Sequence, residues 1–135
     1  MNTLTEFDCN LFKLKSFANK LAINSKIGDV YLLTGELGVG KTTFARYFIN
    51  SIYIKNNVSK PDNIKSPSYP VLINYPLSNF EIYHYDLYRL KKADDLSELA
   101  FFENLERNIS IIEWPEIIIN NFNLNKYYLI NIKII

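Results

Sequence analysis

The run Gly35-Glu36-Leu37-Gly38-Val39-Gly40-Lys41-Thr42 crowds three of the chain's four glycines into six positions. Its pattern is G-x-x-x-x-G-K-T. Glycine lets a backbone turn where a side chain would clash, and lets successive N–H groups approach an anion closely. A helix that starts at Lys41 points the positive end of its dipole at the same spot. In such a loop the Lys41 ammonium reaches the β- and γ-phosphates of a nucleotide, and the Thr42 hydroxyl offers an oxygen to Mg²⁺. This spacing points to nucleotide binding, with Gly35, Glu36, Leu37, Gly38, Val39, Gly40, Lys41, Thr42 and Thr43 as the candidate contacts. Glu36 brings a negative charge into a phosphate loop, so its side chain is expected to turn outward. The competing explanation is a tight strand-to-helix turn with a surface lysine. It leaves three glycines, a lysine and a threonine together without a reason.

Three further stretches carry side chains suited to the same chemistry. In "IIEWPE" an acid follows a buried apolar run directly. In a parallel sheet that places Glu113 at the carboxyl end of its strand, on the edge where the phosphate loop lies, so it is a candidate to hold Mg²⁺ directly or through water. In "HYDLYRL" (84–90) His84 and Asp86 are two apart and share a strand face. The pair could orient an attacking or Mg²⁺-bound water, or be a hydrogen-bonded strand end without chemistry. In "SPSY" (66–69) Ser68 is either a sensor of the γ-phosphate or part of an ordinary proline turn. Trp114, the one tryptophan, follows Glu113 and is expected beside the nucleotide or at the edge of the core.

These groups need elements to hold them. Leu11, Leu14, Phe17, Ala18 and Leu21 follow helical spacing, which predicts an amphipathic helix over 10–23. "VYLLT" (30–34) reads as a buried strand after the turn at Gly28-Asp29. A helix from Lys41 to about Tyr53 would bury Phe44, Ala45, Phe48 and Ile52. The polar, proline-bearing stretch 55–70 reads as a mobile loop. "VLINY" and "EIYHYDLY" read as strands pairing across "PLSN". A helix is expected over 94–107, a buried strand over 109–113 stopped by Pro115, and a last strand over 126–135. The order of helices and strands predicts one domain, 1–135, of three-layer α/β class with a mixed, mostly parallel sheet.

Composition excludes other classes. Positive and negative side chains nearly cancel, to a formal +1. Nothing electrostatic therefore points to direct nucleic-acid or membrane binding. No apolar run approaches the ~20 residues of a membrane span. "MNTLTEFDCN" lacks a signal-peptide pattern, and a lone Cys9 forms no internal disulfide, so a cytoplasmic protein is expected. The many tyrosines and phenylalanines are read as core, since a stacking platform for bases needs a basic groove.

Taken together, "GELGVGKTTFAR", "SPSYPVLINY", "IYHYDLYRL" and "IIEWPE", in this order, resemble the TsaE (YjeE) family. That family is the ATPase subunit of the bacterial machinery that makes threonylcarbamoyladenosine on tRNA. The phosphate loop is common to many families, but H-x-D-L-Y-R-L combined with E-W-P is far more specific, and the likeness runs over nearly the whole chain. The resemblance implies a P-loop NTPase fold, ATP and Mg²⁺ as cofactors, and slow hydrolysis. It also implies partners related to TsaB and TsaD, with tRNA engaged only through the complex. TsaD would then carry out the transfer to adenosine. Lys41 and Thr42 take the phosphate and metal roles, Glu113 the second metal role, Asp86 a hydrolytic or metal-water role, and Ser68 a switch role. Relatives usually have Thr where Ser68 stands, Phe where Tyr69 stands, and Leu-Gly where this chain reads Leu99-Ala100. The last change speaks against a tight turn in the 94–107 helix.

Two other readings compete. A small-molecule P-loop kinase would close an arginine-bearing lid, and the chain has only Arg46, Arg89 and Arg107. A GTPase switch would need Asp where Tyr128 follows Asn125-Lys126-Tyr127, and a glycine that "DLYR" lacks.

Overall fold

Val30–Thr34 and Ile109–Glu113 are mostly apolar and buried at successive positions, as strands covered on both faces are. In the computed structural model, which describes residues 2–8, 11–35, 40–65, 67 and 71–133, they lie side by side at the centre of a six-stranded sheet. The elements in chain order are β1 (Asn2–Asp8), α1 (Leu11–Asn24), β2 (Val30–Thr34), α2 (Lys41–Lys55), β3 (Leu72–Pro76) and β4 (Glu81–Asp86). A 3-10 helix (Ala93–Leu99), α3 (Phe101–Arg107), β5 (Ile109–Glu113), α4 (Glu116–Asn121) and β6 (Tyr127–Lys133) follow. Strand order is β1-β6-β2-β5-β4-β3. Every pairing is parallel except β3 with β4, which is the expected hairpin.

The period-2 alternation of the strands divides the core into two layers. Tyr31 and Leu33 of β2, Ile109 and Ile111 of β5, and Ile82 of β4 pack against α1 and α2 through Leu14, Ala18, Phe44, Phe48 and Ile52. Val30 and Leu32, Ile112 and Tyr85 face the other way, against Leu96, Phe101, Leu105 and Ile118. The sheet is thus covered on both sides by helices, the three-layer α/β arrangement that the sequence predicts. Parity then places the strand ends. Residues 84 and 86 share the face of Ile82, and residue 113 shares the face of Ile109 and Ile111, so all three point to the α1–α2 side.

Four local expectations are corrected. The 94–107 helix is two pieces, broken at Ala100, which sits at φ 49° and ψ 41°. Buried Leu96, Phe101 and Leu105 are five and four apart, and only a reset of helical phase brings all three onto one sheet face. The tight turn is therefore kept by an alanine in left-handed conformation, at some cost in strain. Leu11 does not face inward but is 61% exposed; the buried line of α1 is Leu14, Ala18 and Ala22. The stretch after α2 is not solvated throughout: at its described positions Ile64 and Pro67 are buried. Finally, β1 and α4 had no counterpart in the sequence reading. Leu4 and Phe7 are three apart, not the even spacing of one strand face, and β1 pairs only with β6, at the sheet edge. Six-residue α4 is too short to show a period; Pro115 stands at its N-cap. Among the described residues no helix is long and apolar enough to cross a membrane.

Candidate functional site

The loop after β2 ends at Gly40, whose φ of 107°, like the 141° of Gly35 at the loop's start, is open to glycine and strained for other residues. Gly40 takes the N-cap position of α2 without a side-chain hydrogen bond, and no acidic residue stands in the first turn. The first N–H groups of a 15-residue helix are therefore left for a ligand or water to satisfy, at the positive end of its dipole. Lys41, Thr42 and Thr43 form that first turn. Glu36, Leu37, Gly38, Val39 and Ser68 lie outside the described residues, and so does the expected outward turn of Glu36.

Lys41 is only 4% exposed. Its ammonium donates to the Gly35 carbonyl at 2.5 Å and lies 3.4 Å from the centre of the Trp114 ring. Burial lowers its pKa, while the carboxylates of Glu113, Glu116 and Asp86 pull it back up. The lysine is thus held between a carbonyl dipole, an aromatic face and a field of carboxylates, with no direct ion pair of its own among the described residues.

Glu113 and Asp86 end β5 and β4 as direct register partners. Both are buried. The Thr42 hydroxyl points at the Glu113 carboxylate, 3.5 Å from Oε1 and 3.4 Å from Oε2. These are long contacts, at the weak limit of hydrogen bonding. Asp86 Oδ1 accepts from the Tyr88 N–H at 3.0 Å, closing a turn that ends β4. Burial pushes the Asp86 carboxyl above its usual range and Glu113 adds to this. The Tyr88 N–H, His84 and Lys41 oppose it.

His84 does not pair with Asp86, its neighbour on the strand face. Its Nε2 lies 2.6 Å from Glu113 Oε2 on the adjacent strand. The register explains the reach: His84 sits opposite Ile111 and Asp86 opposite Glu113, so the ring extends diagonally, two residues forward. Trp114 is half-buried, at φ 56°. A left-handed residue directly after the strand swings the chain out of the sheet before Pro115, and strain of this kind, of order 1–3 kcal/mol, gathers at functional sites. The turn brings the indole over Lys41 on one side and against the Tyr88 ring, 4.8 Å away, on the other.

The described candidates thus meet at one place. Lys41, Thr42, Asp86, Glu113 and Trp114 gather at the carboxyl ends of β2, β4 and β5. Tyr88 and Glu116 were not singled out from the sequence. Tyr88 lies in the quoted "HYDLYRL", and Glu116 is the last letter of "IIEWPE", so the signal was present but its use was not. All three arginines are exposed. Arg89 lies three residues beyond Asp86, where β4 ends. Among the described residues no set of three or more His, Cys, Asp and Glu side chains is arranged to hold a metal. The oxygen donors at hand are the Thr42 hydroxyl and the carboxylates of Glu113 and Asp86.

Comparison with known proteins addresses the family and the fold. The family profile "Threonylcarbamoyl adenosine biosynthesis protein TsaE" matches residues 10–134. The chain is 46% identical over 104 residues to the tRNA threonylcarbamoyladenosine biosynthesis protein TsaE of Rickettsia typhi, covering 77% of this chain and 69% of that one. With the protein of the same name from Rickettsia felis it shares 47% identity over 104 residues, 77% of this chain and 58% of the relative. The chain therefore spans between about half and about two thirds of these relatives. In structure it is similar to Bacillus subtilis YdiB, with a TM-score of 0.59 and 25% identity over 84% of this chain and 66% of the other. On this match over most of its length, the chain belongs to the TsaE family of threonylcarbamoyl adenosine biosynthesis proteins.

Proposed function

We propose that this chain, acting as one cytoplasmic domain, is the ATP-binding and slowly hydrolysing subunit of the machinery that makes threonylcarbamoyladenosine in tRNA. The transfer to adenosine itself would be the work of a TsaD-like partner, acting with a TsaB-like one, and tRNA would be met only through them. The observation that carries the reading is the convergence of Lys41, Thr42, Asp86 and Glu113 beside the uncapped start of α2.

The donor set fits Mg²⁺ bound with ATP. A hydroxyl and a carboxylate are hard oxygen ligands, and Mg²⁺ takes only one or two groups from a protein, completing its shell with phosphates and water. Thr42 and Glu113 would hold the ion, which when bound would neutralise charge on the phosphates. Lys41 would leave the Trp114 ring and the Gly35 carbonyl for the β- and γ-phosphates. The backbone N–H groups of Gly40 to Thr43 would bind the phosphate oxygens. Asp86, deep at the strand end and close enough to Glu113 and Lys41 to feel their charge, would orient the attacking water.

Slow turnover follows from what the site lacks. An arginine stabilising the transferred phosphoryl group contributes on the order of 10³–10⁵ in rate, and Arg46, Arg89 and Arg107 are all exposed. The test is steady-state phosphate release by the isolated chain and with TsaB- and TsaD-like partners added. Turnover alone should fall well below the roughly 1–100 s⁻¹ of protein kinases and rise with the partners. Fast, partner-indifferent turnover would make it a free-standing enzyme.

A further inference from the structure

We propose that His84 is a positioning residue for Glu113: it fixes which way the carboxylate faces, and so how well the site takes Mg²⁺ with its nucleotide. The inference rests on the nucleotide-binding reading above and adds to it a residue with no contact to the phosphates.

The geometry is specific. His84 is fully buried, with Ile82 and Tyr85 of the same strand equally sealed. Its Nε2 holds Glu113 Oε2 at 2.6 Å, while the Thr42 hydroxyl reaches both oxygens only at 3.4–3.5 Å. The short contact is therefore the one from the core, and the loose one faces the phosphate loop. Without the ring, a glutamate at a strand end could turn about its side-chain torsions. Held by one oxygen, it presents the other in one direction. Groups behind a metal-binding side chain act in this way, and losing one typically costs 10- to 100-fold in metal affinity.

The other ring nitrogen strengthens the case. Nδ1 is buried with no hydrogen-bond partner among the described residues. A histidine kept only to satisfy core hydrogen bonds would use both nitrogens, since an unmet buried polar atom is destabilising. Here the ring is buried with one nitrogen unmet, and the interaction gained in return is the bond to Glu113. Nor is Glu113 anchored by another side chain at comparable range among the described residues.

Two amide substitutions separate positioning from packing. In His84→Gln the amide nitrogen lies as many bonds from Cβ as Nε2 does in the ring, so it can still donate to Oε2. In His84→Asn the donor falls one bond short. ATP binding to the full chain is measured by calorimetry, once with Mg²⁺ and once with EDTA, and thermal unfolding checks that each variant is folded. The expected result is that His84→Asn loses about tenfold in affinity with Mg²⁺ and nothing with EDTA, while His84→Gln recovers most of the loss. An equal loss with and without the metal overturns the proposal, because packing alone would produce that. So does a folded His84→Gln that has lost its magnesium dependence, which decides the matter even if His84→Asn does not fold. Wild-type affinity in both variants overturns it too. A wild-type chain that binds no ATP in either buffer removes the nucleotide reading itself, a distinct failure visible before any variant is made.

Discussion

The two ends of the central strands are both polar and both buried, yet they are finished in opposite ways. At the amino end of β2, Asp29 accepts from the Lys26 N–H at 3.0 Å and from the Tyr31 hydroxyl at 3.4 Å. Ser25 donates to the Leu21 carbonyl at 2.7 Å and also bonds the Tyr31 hydroxyl. The ammonium of Lys55 closes the end of α1, donating to the carbonyls of Ala22 and Ser25 at 3.4 and 3.0 Å. Asn108 accepts from the Glu81 N–H and donates to the Asn104 carbonyl. Each of these groups finds its partner inside the fold; the exception at this end is the buried Ser110 hydroxyl of β5, without a partner among the described residues. At the carboxyl end the helix start has no side-chain cap, the Thr42–Glu113 contact is long, Lys41 rests on an aromatic ring, and Trp114 is strained. Buried polar groups that satisfy one another hold a structure together; buried polar groups left partly unmet are held ready for something else.

The sharpest way to break this comparison is a pair of substitutions, one at each end. Lys41→Ala should lower ATP affinity on the order of 100-fold, the loss expected when one strong charge-assisted contact of about 2–3 kcal/mol disappears. It should change thermal stability less than affinity, because the cost of burying the ammonium offsets its contacts with the Gly35 carbonyl and the Trp114 ring. Asp29→Ala should do the reverse, lowering stability by about 1–2 kcal/mol because the Lys26 N–H loses its acceptor, while the Tyr31 hydroxyl keeps Ser25 and ATP affinity stays put. Calorimetry and denaturant unfolding of both variants read this directly. Matching profiles would mean that the two ends do not differ in kind.

A second, smaller effect sharpens the contrast within the site. Burial raises the Asp86 pKa above its usual 3.8. A raised acid favours the protonated form in the fold, so the folded chain is favoured at low pH, and that advantage is lost as pH rises through the shifted value. Asp86→Asn, which cannot ionise, should therefore be more stable than wild type at neutral pH without metal, with the difference vanishing below about pH 3.8. The same variant should still bind ATP but hydrolyse it about tenfold more slowly, since a water-orienting bond of about 1.4 kcal/mol acts mainly in the transition state. Glu113→Ala should instead weaken the magnesium-dependent part of binding. If both variants lose ATP affinity equally, the two acids do not have separate roles.

What was legible in the sequence depended on whether the signal was local. β2 and β5 were bounded correctly because continuous apolar runs between turn residues mark strands buried on both sides. The inward face of α2 was correct because its period runs through Phe44, Ala45, Phe48 and Ile52. The phosphate loop announces itself by residue types within eight positions. The partner of His84 could not be read, because it depends on the register between β4 and β5, separated in the chain by the 3-10 helix and α3. The left-handed Ala100 was missed because an alanine gives no hint of the conformation that a glycine would have signalled. β1 was missed because an edge strand needs only backbone pairing, and its side chains carry no alternation.

The smallest expected effect is optical, and it tests whether the ligand-free arrangement of Lys41 is the one described. The chain has a single tryptophan, so any change in indole emission reports on Trp114 alone. Its ring lies 3.4 Å from the Lys41 ammonium and stacks at an angle on Tyr88. An ammonium over an aromatic face is worth about 0.5–2 kcal/mol, less than its attraction to phosphates, so ATP should draw Lys41 away and alter the ring's surroundings. Emission should then change as ATP saturates the site. Lys41→Ala supplies the control. Its ligand-free emission should already differ from wild type, because the ammonium is gone before any nucleotide arrives, and adding ATP at the wild-type saturating concentration should move it little. A flat titration of the wild-type chain, or a Lys41→Ala variant with wild-type emission, would put the lysine elsewhere in the free protein and erase one of the differences between the two ends of the sheet.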